Sequence, residues 1–81
     1  MQCYVYRSSR RQDTYVFLPG KDDFSNIPDG LLNLLGKPEF ALELVLTPDR
    51  RLAREDPLQV LTNLKNQGFH LQMPPENDQP V

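Results

Sequence analysis

The chain lacks features on which whole classes of protein depend. It has one cysteine, Cys3, one histidine, His70, and no tryptophan. A single cysteine cannot form an intrachain disulfide, so packing alone must hold the fold, as in proteins of reducing compartments. One cysteine and one histidine also fall short of the three or four ligands that a zinc site needs. The sequence therefore excludes a disulfide scaffold and predicts neither a metal site nor a cofactor.

Long apolar runs and a strong charge of one sign are also absent. The most apolar stretch, residues 40–46, contains Glu43 and is far shorter than the roughly 20 residues that cross a bilayer. No cationic segment followed by an apolar run opens the chain, so we predict no signal peptide and a cytoplasmic protein without membrane contact. The formal net charge is −2, whereas dedicated nucleic-acid-binding domains are usually strongly basic.

No set of catalytic residues is apparent. The four glycines are isolated and form no phosphate-binding loop. Cys3 and His70 are a nucleophile and a base in principle, but an apolar strand around Cys3 would raise the pKa of its thiol and suppress the thiolate. Asp22 and Asp23 are adjacent, so their carboxylates point in different directions and do not converge on one bond. We therefore predict a protein without enzymatic activity.

What the sequence does contain is one small α/β domain. Its 81 residues suffice for one domain and are too few for two. Four segments are rich in β-branched and aromatic residues and are predicted strands: residues 3–6, 14–18, 40–46 and 69–73. The first two are apolar on both faces, which is typical of a sheet covered on both sides. In the third, Phe40, Leu42, Leu44 and Leu46 are predicted to share one face.

Two helices are predicted between these strands. The first begins at Pro28 and ends before Gly36, which suits a left-handed cap. The second is capped by Asp56, with Gln59 completing a capping box, and it ends at Gly68. The order is β-β-α-β-α-β, and we expect an α/β (α+β) fold: a small mixed sheet with helices on both faces.

Arginine is concentrated in two short predicted loops, one between the first two strands and one before the second helix. Three interpretations remain: simple solubility, contact with an anion or nucleic acid, and contact with an acidic protein. The hydroxyls of Ser8 and Ser9 would add donors for an anion. The predicted anion-binding residues are Arg10, Arg11, Arg50, Arg51 and Arg54.

Several blocks of residues together resemble the bacterial YcgL family. In order they are Tyr6-Arg7-Ser8-Ser9, Thr14-Tyr15, Lys21-Asp22-Asp23-Phe24-Ser25 with Pro28, Gly36-Lys37-Pro38, and residues 68–75. The resemblance implies a single YcgL-like domain over residues 1–75 with an α/β/α sandwich fold. Residues 76–81 are polar apart from Pro80 and the terminal Val81, so we predict a disordered tail there. The family has no established activity, so the resemblance carries no catalytic residue over.

Our leading hypothesis is a monomeric, non-enzymatic protein-binding or regulatory module with an unidentified protein partner. The alternative is weak RNA or phosphate binding through the two arginine loops. The family resemblance implies a link to an RNA-processing enzyme or to cell division, because family genes lie near a ribonuclease D gene or cell-division genes in some genomes. The salt dependence of binding would distinguish the two hypotheses, because phosphate contacts weaken steeply as the salt concentration rises. The predicted partner surface consists of Arg7, Ser8, Ser9, Arg10, Arg11, Asp22, Asp23 and Gln72.

Overall fold

The structure, a computed structural model, describes residues 1–52 and 55–74. Over these residues the elements are β1 (Gln2–Arg7), β2 (Tyr15–Leu18), α1 (Asp29–Leu35), β3 (Glu39–Val45), α2 (Pro57–Gln67) and β4 (His70–Gln72). This is the predicted order. The predicted disordered tail, residues 76–81, lies outside the described residues.

The four strands form one sheet in the order β3-β1-β2-β4, and every neighbouring pair is antiparallel. We expected a mixed sheet, and that detail is corrected. Each helix joins strands that are not neighbours, because α1 connects β2 to β3 across β1, and α2 connects the two edges of the sheet. Two consecutive strands that are adjacent and parallel must be joined by a crossover, usually a helix. Neither helix here joins two strands that are adjacent in the sheet.

The two helices cover opposite faces of the sheet, as predicted. Successive strand residues point to opposite faces, and each set has its own helix. The α2 face packs around Cys3, Val5 and Phe17, together with Leu46, Val60 and Leu64. The α1 face packs around Tyr6, Val16 and Leu18, together with Ile27 and Leu35.

A β-bulge interrupts β3. Val5 pairs with Leu42 but Tyr6 pairs with Phe40, which leaves Ala41 as an extra residue. Phe40 therefore lies on the α1 face, with its ring centroid 5.6 Å from that of Tyr6. Our prediction that Phe40 shares a face with Leu42 was wrong, because strict alternation has no place for an inserted residue.

The first helix ends before Gly36, as predicted, but it differs from the prediction in its first residue and in the conformation of Gly36. Pro28 is the N-cap of α1, one residue before the first helical position. Gly36 has φ 74° and ψ −140°, so it does not adopt the left-handed helical conformation that we expected. Few residues other than glycine adopt such a combination. A Cβ at Gly36 would lie 2.5 Å from Cγ of Arg10 and 2.6 Å from Oγ of Ser9, so this position also lets the β1–β2 loop approach α1.

The second helix matches its predicted boundaries. The Asp56 carboxylate accepts a hydrogen bond from the backbone N–H of Leu58 at 3.0 Å, and Gly68 ends the helix in the left-handed conformation. Gln59 does not complete a capping box, since its side-chain amide donates to Asn63. The N-terminus of α2 is thus stabilised by Asp56 and by Pro57, whose missing N–H needs no partner there.

Candidate functional site

The loop between β1 and β2 is anchored to the end of α1 by its two serines. The buried hydroxyl of Ser8 donates to the carbonyl of Leu35 at 2.7 Å and accepts from the backbone N–H groups of Arg10 and Arg11. The Ser9 hydroxyl accepts from the N–H of Lys37 at 2.8 Å. These bonds satisfy a carbonyl that a helix end leaves without an intrahelical partner. Both serines therefore hold the loop in place, and their hydroxyls are already engaged within the protein.

Asp22 and Asp23 each serve a local hydrogen-bonding role. The Tyr6 hydroxyl donates to the Asp22 carboxylate at 2.7 Å and accepts from the Asp22 backbone N–H at 2.7 Å. Burial, and then the bond to Asp22, raises the pKa of Tyr6. The Asp23 carboxylate accepts hydrogen bonds from the hydroxyl and the backbone N–H of Ser25, and these lower the pKa of Asp23.

The strand register places the two arginine loops at opposite ends of the sheet. Arg7 lies at the hairpin end of β1, whereas Gln2, which pairs with Val45 at the end of β3, lies at the other. The strand ends therefore do not bring the predicted anion-binding residues together. Arg10 and Arg11 lie in the hairpin loop, Arg50 and Arg51 lie in the segment that leaves β3, and Arg54 lies outside the described residues.

His70 is buried in a small polar network. Its Nε2 lies 3.0 Å from the Glu55 carboxylate, its Nδ1 lies 2.9 Å from the side-chain nitrogen of Asn63, and its ring meets Phe17 edge-on. An amide nitrogen only donates, so Nδ1 accepts and Nε2–H donates to Glu55. Sequence reasoning missed the partners of His70, because only the packing of α2 against β4 brings them close.

Cys3 is fully buried in the cluster under α2. Burial raises the pKa of its thiol to about 11, so the thiol is protonated at neutral pH. Both ring nitrogens of His70 are occupied by other partners, so the two residues do not form a nucleophile–base pair. Among residues 1–52 and 55–74, no group of three or more His, Cys, Asp or Glu side chains is placed to hold a metal ion. In the same part of the chain, no helix has the length and apolar character to cross a membrane.

An apolar groove opens beside α2, whose backbone lies closest to β2 and β4. A helix is about 10 Å wide and covers about two strands, since neighbouring strands are about 4.8 Å apart. Cys3 and Val5 of β1 are buried under the side chains of α2, but the β3 side of this face is open, and a groove of about 250 Å³ lies there. We call it the half-sheet groove. Its lining includes Val5, Tyr15, Leu42, Leu44, Leu52 and Gln72.

Polar residues border the half-sheet groove at the hairpin end. Tyr15 pairs with Gln72 on one side and with Arg7 on the other. Arg7 forms an exposed ion pair with Glu39, with 3.2 Å between Nη2 and Oε1. Of the predicted partner surface, Gln72 thus lines this groove and Arg7 lies next to its lining residue Tyr15. The apolar residues Leu42 and Leu52 were not predicted, and the sequence has no feature that indicates which half of a sheet face a helix covers.

Comparison with other protein sequences agrees with the resemblance to the YcgL family described above. Residues 3–75 match the YcgL domain model. A YcgL domain-containing protein of Thioalkalivibrio sulfidiphilus is 57% identical over 81 residues, which cover both chains completely. One of Azotobacter vinelandii is 51% identical over 98% of this chain and 81% of the relative, and one of Pseudomonas putida strain GB-1 is 48% identical over 95% and 79%. Their names state no enzymatic activity. The chain belongs to the YcgL domain family.

Proposed function

We propose that this YcgL domain is a non-enzymatic, cytoplasmic protein-binding module whose half-sheet groove receives an amphipathic helix of its partner. The observation that carries the proposal is the groove itself, an open apolar area on the β3 side of a sheet face. Leu42 is 47% exposed there although it lies on the same face as the buried Val5. Covering such a surface contributes about 25 cal/mol for each Å² of apolar area removed from water.

The dimensions of the groove favour a helix as the occupant. Its floor is two strands wide, or about 10 Å, which matches the diameter of one α-helix. A helix laid on Leu42 and Leu44 would lie beside α2 and complete the helical layer on this face. Layered α/β domains are stable when both faces of the sheet are covered, and here a partner would supply part of that cover.

Charge around the groove favours acidic residues on the flanks of that helix. Arg7 lies at the hairpin end, and Arg50 and Arg51 are exposed just before Leu52, whose side chain lines the groove. Glu39 neutralises part of the charge of Arg7. A helix with an apolar stripe and flanking Asp or Glu residues would be complementary to this rim. This is the acidic-partner interpretation of the arginine loops.

The chemistry of the groove supports binding rather than catalysis. The polar side chains in its lining are those of Tyr15 and Gln72. A nucleophile needs an adjacent base or a lowered pKa. Cys3 has a raised pKa instead, and the His70 ring is bonded to Glu55 and Asn63. The groove can therefore hold an apolar segment and orient it without a group that attacks it.

Matched variants test the proposal. The wild type, Leu42→Lys and Leu58→Lys would be immobilised and exposed to extract of a bacterium that carries this protein, and the captured proteins would be identified by mass spectrometry. Leu58 is the control, because it is 56% exposed on α2 outside the groove. We expect a captured protein that the Leu42 variant loses and the Leu58 variant keeps. A photoreactive residue at position 42 should crosslink to an amphipathic helix of that protein. Capture that is equal for all three forms would contradict the proposal.

A further inference from the structure

A second groove lies on the α1 face, between α1 and β4. We call it the α1–β4 groove, and its volume is about 120 Å³. A water molecule in the liquid occupies about 30 Å³, so the groove has room for about four waters, or for one side chain of the size of leucine. Its lining includes Leu31, Leu34, Leu35, Leu71, Met73 and Arg11.

The surface around this groove is open and apolar. Leu34 is 49% exposed and Met73 is 52% exposed. The side chain of Leu34 lies at the mouth of the groove. β4 is the last strand of the sheet, so α1 has no further described strand beneath it on this side. The groove exists because the sheet ends there.

Arg11 is the charged residue of the lining. It is exposed, and no ion pair of Arg11 occurs among residues 1–52 and 55–74. Its backbone N–H is bonded to the Ser8 hydroxyl at 2.9 Å, which holds the main chain of the loop and leaves the guanidinium available. A guanidinium beside an apolar groove is complementary to a ligand that joins an apolar group to a carboxylate.

We propose that the α1–β4 groove binds the C-terminal residue of a partner polypeptide, with a leucine-sized side chain in the groove and the terminal carboxylate on Arg11. Because the groove is small, the apolar side chain and the carboxylate must belong to the same residue of the partner. An Asp or Glu next to the apolar residue would not serve, because adjacent side chains of an extended segment point to opposite sides. The site is separate from the half-sheet groove, and the inference does not depend on the proposed function.

N-acetyl-leucine is a direct probe, since it carries the leucine side chain and a free carboxylate. It would be titrated into the ¹⁵N-labelled full-length protein and followed by NMR. A ligand of this size binds with a Kd on the order of millimolar. We expect shifts of the amide signals of Leu35, Leu71 and Arg11. N-acetyl-leucinamide, which lacks the carboxylate, should bind about fivefold more weakly, as expected when one charge-assisted hydrogen bond is lost.

Two arginine variants complete the test. Arg11→Gln should weaken N-acetyl-leucine about fivefold and remove its preference over the amide. Arg10→Gln is the matched control, because Arg10 neighbours Arg11 but is not part of the groove lining, and it should leave the affinity unchanged. N-acetyl-glycine, without a side chain, should not shift Leu35 or Leu71. Equal binding of acid and amide, or an Arg11→Gln variant that binds like the wild type, would overturn the inference.

Discussion

Substitution by alanine should lower the stability of this domain at one glycine and raise it at another. At Gly68 the backbone has φ +81°, and an added Cβ would clash with the side-chain nitrogen of Asn26 and lie 2.8 Å from its Cβ. At Gly30, within α1, nothing lies within 4 Å of an added Cβ. Gly68→Ala therefore meets both backbone strain and a steric clash, whereas Gly30→Ala mainly removes conformational freedom from the unfolded chain.

The expected magnitudes are large for a domain of this size. A left-handed conformation costs a non-glycine residue about 1–2 kcal/mol, and overpacking against Asn26 adds about 1 kcal/mol or more. We expect Gly68→Ala to lower the free energy of unfolding by about 2–3 kcal/mol. Gly30→Ala should raise it by about 0.5–1 kcal/mol, the usual gain for alanine over glycine in a helix. Total stability at this length is about 4–12 kcal/mol.

Thermal unfolding followed by far-UV circular dichroism measures both effects. For a domain of this size 1 kcal/mol changes the Tm by about 4–8 °C. The Gly68 variant should therefore melt about 8 °C or more below the wild type, and the Gly30 variant should melt a few degrees above it. Asn26→Gly in the Gly68→Ala background should recover the steric part and leave the backbone strain. A Gly68→Ala variant that melts with the wild type would refute the left-handed helix end and its contact with Asn26.

Three further outcomes follow from the same contacts. Ser8→Ala should lower the free energy of unfolding by about 1–3 kcal/mol in urea titrations, because buried hydrogen-bonding groups lose their partner; the exposed Ser25→Ala should change it by less than about 0.5 kcal/mol. Burial raises the pKa of Cys3 from 9.0 to about 11, so the unfolded state loses this proton first as the pH rises. The stability due to the protonated thiol is complete below about pH 9 and is lost towards pH 11. The Tm should therefore fall over this pH range, and Cys3→Val should make the fall smaller. If the arginine loops do bind RNA, binding should be micromolar or weaker at physiological salt and lost in Arg10→Glu/Arg11→Glu; absence of binding even at low salt would exclude this alternative.

Local chemistry made much of the fold predictable. The second helix was placed correctly because its limits depend on neighbouring residues: a carboxylate that caps the first turn, and a glycine that permits the left-handed end. The β-bulge was not predictable, because Ala41 becomes an extra residue only when β3 pairs with β1. Gly36 shows the same limit, since its unusual ψ angle accompanies the close approach of the β1–β2 loop to α1.

The candidate site was predictable only in its polar part. Gln72 lines the half-sheet groove and Arg7 lies next to its lining residue Tyr15; that they contact a partner stays a prediction. Leu42 belongs to an apolar stretch that looks the same whether its side chain lies under a helix or in an open groove. Which of these holds is decided by the position of α2 over β2 and β4, a tertiary choice that alternation along one strand does not encode.

The central position of β1 bears on how the domain assembles during synthesis. β1 pairs with both β2 and β3, so three of the four strands can join once residues 1–45 have left the ribosome. The segment that forms α2 and β4 follows on the order of a few seconds later, at ordinary rates of translation. Until then the face that α2 will cover is exposed, including Val5 and Phe17. A nascent YcgL domain therefore presents a wider apolar surface than the finished one, and the partner helix that we propose could reach the groove before the domain is complete.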